Sequence, residues 1–87
     1  MDIQTSRKQI DDIDHHIIDL IAKRFEHVKE IGNVKKAEGK DPLDSDRWHY
    51  ILMDRVAYAR ERGVSTKLIE TLWHDIHDHA LEIEKVR

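Results

Sequence analysis

The stretch IAKRFEHVKEIGNVKK (residues 21–36) decides how the chain is read. At helical spacing Ile21, Val28 and Ile31 share one apolar stripe, and the same stripe carries Arg24 and Lys35. Extended in both directions, a heptad frame puts Arg7, Asp14, Ile21, Val28 and Lys35 at one position. Ile3, Ile10, Ile17, Arg24 and Ile31 fall at the other. Isoleucine and valine recurring at three- and four-residue steps are the mark of a helix packed along its length. The pattern predicts one helix from about residue 4 to residue 38, roughly 50 Å long at about 1.5 Å per residue.

Outside that segment, glycine and proline punctuate the chain. EGKDPLDSD (38–46) reads as a loop ending in a helix N-cap at Asp44 or Ser45. RERGVST (60–66) places Gly63 just past a basic helix end and Ser65 at the next N-cap. Gly32 lies inside the first segment and is read as tolerated within the helix. A second helix is predicted from about 45 to 62, with Trp48, Ile51, Leu52, Val56 and Ala59 inward. A third runs from about 65 to the C-terminus, with Leu68, Ile69, Leu72, Trp73, Ile76 and Ala80 inward. Glu84 is one turn beyond Ala80 on that inward face, a charge where an apolar residue is expected. The fold class is all-α, with three helices and a very long first one, and residues 1–87 form a single domain.

The chain has 87 residues, a size at which one core is marginal and association is an obvious supplement. It has no cysteine, which excludes disulfides and thiolate metal sites. Charged residues make up 38% of it with both signs interspersed and a formal net charge of −3, which argues against nucleic acid as a partner. No apolar run reaches membrane-spanning length and MDIQTSRKQI has no signal-peptide pattern, so a cytoplasmic protein is expected. No fused domain is visible in the sequence, so a pathway partner is expected to be a separate protein.

A compact domain of this size has a radius of gyration of about 13 Å, so a helix of about 50 Å overhangs any core of its own. A homodimer is the simplest way to cover its seam. The charges in that seam have two readings. Arg7 and Lys35 can snorkel at the helix ends, Asp14 can pair with an arginine across the dimer, and seam charges can fix register. Alternatively, Arg24 and Lys35, about 16 Å apart along one face, converge on a small molecule. In an antiparallel pair crossing near residue 19, Arg7 of one chain lies opposite residue 31 of the other, between Arg24 and Lys35. Three cations in a dry pocket suit a compact polycarboxylate, because arginine binds carboxylates through paired hydrogen bonds. Without a serine or cysteine nucleophile or a glycine-rich phosphate loop, the framework offers electrostatic catalysis.

SRKQIDDIDHHIIDLIAKRFEHVKEIGNVKKAEG, then DSDR, then GVSTKLIETLW, resembles the small all-helical chorismate mutases along nearly the whole chain. The motif residues are Arg-x-x-Ile-Asp-x-Ile-Asp, a second arginine ten residues on, a lysine eleven further, and an arginine in the second helix. The resemblance implies an intertwined homodimer that rearranges chorismate to prephenate without a cofactor or metal, in aromatic amino acid biosynthesis through the shikimate pathway. It implies that Arg7 reaches into the partner chain's site to bind one substrate carboxylate, while Arg24 binds the other. Lys35 would donate to the ether oxygen as the C–O bond breaks. Arg47 would support carboxylate binding at the rim, Asp44 would hold the ring hydroxyl region, and Glu84 would be the second donor to the ether oxygen.

Three positions depart from the family's pattern. Glu84 stands where many bacterial members have glutamine, and a carboxyl group donates only when protonated, so either a raised pKa at Glu84 or activity favouring acid pH is expected. Trp48 stands where many members have a glutamate that contacts the ring hydroxyl; it either packs the core or touches substrate. Ala80 replaces a small hydroxylic residue near a carboxylate. The alternatives are an isochorismate pyruvate-lyase or a mutase of an amino-substituted chorismate on the same scaffold. A further alternative is a non-catalytic helical dimerisation or regulatory module, which should have lost an essential cation. HDIHDH (74–79) puts His74 and His77 one turn apart with Asp78 nearby, and is read as a solvated polar face rather than a metal site. His15 and His16 are read as surface or dimer-edge residues.

Overall fold

The computed structural model describes residues 2–86, with side chains described for residues 2–85. It has three helices, α1 (Ile3–Ala37), α2 (Ser45–Glu61) and α3 (Thr66–Val86), and no strand among the described residues. Each start has a side-chain cap. Asp2 accepts from the Thr5 amide at 2.7 Å, Asp44 from the Arg47 amide at 3.0 Å, and Ser65 Oγ from the Leu68 amide at 3.2 Å. α1 and α2 both end in the Schellman arrangement. Gly39 (φ +69°) and Gly63 (φ +70°) supply the left-handed residue, and the amides of Lys40 and Val64 reach back to the carbonyls of Lys35 (2.8 Å) and Ala59 (2.9 Å).

The α1–α2 loop is tied back onto α1. Lys35 Nζ donates to the Pro42 carbonyl at 2.6 Å, and Asp41 accepts from the Leu43 amide at 2.8 Å. Lys35 thus holds the loop just ahead of Asp44 and the start of α2. α3 is the shared element, packing against α2 and against the second half of α1.

Gly32 is buried in that second contact rather than merely tolerated. A Cβ built on it would lie 3.2 Å from both Cα and Cγ of Glu84, so only glycine lets α3 approach this closely.

The long axis measures 55 Å and the radius of gyration is 16.0 Å, above the roughly 13 Å of a compact domain this size. Among the described residues, the buried hydrophobic ones are Ile51, Ala59 and Ala80, and no large side chain is fully enclosed. From Ile3 to Leu20 every side chain but Ser6 is exposed. Ile3, Ile10, Ile13, Ile17, Ile18 and Leu20 stand open to solvent along the free half of α1. Leu68 and Leu72, expected inward on α3, are also exposed, because the face they occupy has no neighbour within the chain. Among the described residues, no helix is long and apolar enough to cross a membrane.

Candidate functional site

The second half of α1, the Pro42–Asp44 turn, α2 and α3 surround a cavity of about 380 Å³. That volume lies in the usual range for small-molecule sites. Arg24, Lys35, Asp44, Arg47, Trp48, Ala80 and Glu84 all line it. Arg7 does not. It is exposed on the free half of α1, and nothing in a single chain brings it to the cavity.

Around the lining, Arg24, Lys35, Arg47 and Arg55 face two carboxylates, Asp44 and Glu84, leaving two positive charges in excess with the histidines neutral. Lys35 Nζ lies 2.8 Å from Glu84 Oε1, and both side chains are largely shielded. The distance makes this a close ion pair, yet its angle falls outside hydrogen-bond geometry, so buried Oε1 has no directional donor. With Nζ also donating to Pro42, the lysine is held at one end of the cavity by α3 and the loop together. Asp44 spends Oδ1 on its helix cap, which fixes the carboxylate at the same end.

At the other end Arg24 is half-buried. Removal from water lowers the affinity of its guanidinium for the proton, and the positive charges of Arg55 and then Arg47 lower it further. Arginine stays charged even so, and the crowding marks a place where an anion is electrostatically favoured.

Trp48 also lines the cavity. His77 stacks on it at 4.0 Å with the ring planes 9° apart, and His74 meets it edge-on at 5.0 Å. His77 is thus half-buried against an aromatic face, not part of a solvated polar surface. Burial lowers its pKa from the ordinary histidine value, with Asp78 opposing and His74 adding to the shift. Among the described residues no group of three or more histidine and carboxylate side chains is arranged to hold a metal ion. His15 and His16 are exposed.

Several lining residues lie outside the set expected from the sequence, Arg55 and His77 among them. Each of these two had a signal. Arg55 is one turn from Ile51 and one turn from Ala59, the two buried residues of α2, so it interrupts an apolar stripe as Arg24 does in α1. His77 lies three residues before buried Ala80 and seven before Glu84 on α3.

A second cavity, about 410 Å³, opens between α2 and α3 beyond Arg55 and is lined chiefly by Tyr58, Ala59, Val64, Ile69 and Trp73. It is slightly larger but mostly apolar, and the convergent charges lie in the first. The indole Nε1 of Trp73 is buried without a hydrogen-bond partner.

An all-helical chain that gathers cations from α1 and α2, with an acid from α3, around one cavity is a helical-bundle protein with a cationic centre. Its family is given by comparison with known proteins. The chorismate mutase type II family matches residues 6–85, and the chain belongs to that family. Among curated proteins it is similar to the T-protein of Enterobacter agglomerans, 41% identical over 64 residues. It is also similar to the T-protein of Haemophilus influenzae, 38% identical over 64 residues. Each match covers 74% of this chain but 17% of the relative, so the chain spans only a small part of the length of these proteins. No solved structure matches the chain.

Proposed function

We propose that the cavity rearranges chorismate to prephenate, and that the working unit is a homodimer in which each site is completed by the other chain. The observation that carries this reading is the convergence of Arg24, Lys35, Arg47 and Glu84 on one cavity in a member of the type II chorismate mutase family. The excess of positive charge, which Arg7 of a second copy would raise further, suits a dicarboxylate, and a site that needs no nucleophile can act by holding its substrate compactly and stabilising developing charge.

Arg24 binds one carboxylate with Arg47 supporting it, and Arg7 of a second copy binds the other. Lys35, already oriented by Pro42 and Glu84, donates to the ether oxygen as negative charge builds there. Glu84 orients the lysine through their close pair, and Glu84→Gln, which places a neutral donor there, tests whether a second donor to the ether oxygen raises turnover. Asp44 is positioned by its cap to meet the ring hydroxyl region.

Trp48 favours a second reading, because a stacked indole–imidazole wall stands at the position where many family members carry an acid. Isochorismate, handled as a pyruvate-lyase substrate, or an amino-substituted chorismate would meet that wall differently. Supplying the purified chain with chorismate and isochorismate separately, from about pH 5 to about pH 8, decides between them. Prephenate from chorismate supports the mutase. Salicylate and pyruvate from isochorismate alone transfer the assignment to the lyase. Absence of product from either points to a non-catalytic module or to a modified substrate such as an amino-substituted chorismate.

A further inference from the structure

We infer that Arg55 is a further substrate-binding residue, a second guanidinium that closes with Arg24 on the same substrate carboxylate. The inference rests on the proposed reading for the identity of the substrate, but its geometry is independent of which ring is rearranged.

Arg55 lies on the α2 stripe between buried Ile51 and buried Ala59, and its side chain is 29% exposed. A lone cation in that stripe weakens the packing of α2 on α3 unless something is gained by having it there. Its Nη1 pairs with Asp54 Oδ2 at 2.6 Å, a contact to its own sequence neighbour. A partly exposed pair of this kind contributes little to stability, and it leaves the rest of the five-donor fork for another acceptor. The guanidinium borders the cavity that Arg24 and Arg47 also line, and its charge is felt at Arg24 more strongly than that of Arg47. Like charges gathered without an intervening carboxylate repel, and an anion seated between them turns that repulsion into attraction. Two planar forks around one carboxylate supply more directed donors than one arginine can. The two ends of the cavity then take different parts of the substrate. The paired guanidiniums fix a carboxylate, and the lysine end meets the breaking C–O bond.

The test compares the full-length wild type with Arg55→Gln and Arg55→Lys, using chorismate as the probe. Turnover gives KM and kcat, tryptophan fluorescence gives chorismate affinity separately, and sedimentation gives the association state. Arg55→Gln is expected to raise both KM and Kd about tenfold while kcat stays within about twofold, and Arg55→Lys to recover only part of the loss, because lysine restores charge without the fork. Wild type that binds chorismate but does not turn it over ends the mutase reading. Weakened binding by Arg55→Gln would uphold the clamp in that case too. Unchanged KM and Kd in a wild-type background that does turn over chorismate overturn the clamp alone. Weakened association with unchanged KM at saturating protein also overturns it, and would assign Arg55 to an acid of the second copy. Wild type that neither binds nor turns over chorismate removes both readings together.

Discussion

The two halves of α1 carry one repeating pattern and meet different surroundings. Residues 3–20 form an isoleucine-rich stripe, broken by Arg7 and Asp14, that the chain leaves bare, whereas residues 21–37 form a stripe interrupted by Arg24 and Lys35 that α3 and the Pro42–Asp44 turn enclose. The apolar half is therefore the unfinished one and the charged half the finished one, the reverse of what hydrophobicity alone suggests. A helix with exposed isoleucines over five turns asks for a second chain, and a helix with enclosed cations asks for an anion. The same contrast separates the two cavities. The one rich in charge is built from three helices, and the apolar one beside Trp73 lies open between two.

The largest effect is expected in the charged half, at Lys35. Lys35→Ala should lower kcat by about 10²–10³ while helix content and association persist, because one donor to a developing negative charge is lost and the fold is not. Turnover that survives in a folded Lys35→Ala chain would remove the electrostatic mechanism. On the apolar half, the paired change Ile10→Asp and Ile17→Asp should abolish association and cooperative unfolding, seen by sedimentation and circular dichroism. Each buried isoleucine contributes about 1.5–3 kcal/mol, and the single chain has almost no core to fall back on. A stable monomer with unchanged activity would mean that the bare stripe is not an interface.

Where the second half of α1 meets α3 stands Gly32. Gly32→Ala gains about 1 kcal/mol of helix propensity but forces Glu84 away from a 3.2 Å contact. Activity should fall roughly tenfold through displacement of the Lys35–Glu84 pair, with little change in thermal stability. The smallest effect belongs to His77. Its folded-state pKa is lowered by burial, so the unfolded chain takes up the proton first and stability is lost as pH falls through the ordinary histidine range. Melting temperature should decline modestly below about pH 6.5, and His77→Gln should remove part of that decline.

How much of this could be read from the sequence depended on how strong the local signal was. Helix bounds came within a residue or two because Gly39, Pro42 and Gly63 punctuate the chain, and Asp44 and Ser65 cap the second and third helices. Charges in the seam of α1 stood out because isoleucine surrounds them. Arg55 was missed because the inward face of α2 was read from its apolar members alone, although the residue sits squarely between two of them. His77 was read as solvent-facing because the neighbouring acids suggested a polar surface, and stacking on Trp48 is a tertiary contact that no spacing reveals. Gly32 looked incidental for the same reason, since its role depends on how closely α3 approaches.

The proposed mechanism stands or falls on whether each site takes Arg7 from one chain and Lys35 from the other. Refolding Arg7→Ala and Lys35→Ala chains together and measuring chorismate turnover decides it. Each variant alone should be nearly inactive. The equal mixture should recover about a quarter of the wild-type rate, because half the dimers are mixed and each holds one intact site. A mixture as inactive as its parents, with mixed dimers present by mass, would contradict the shared site.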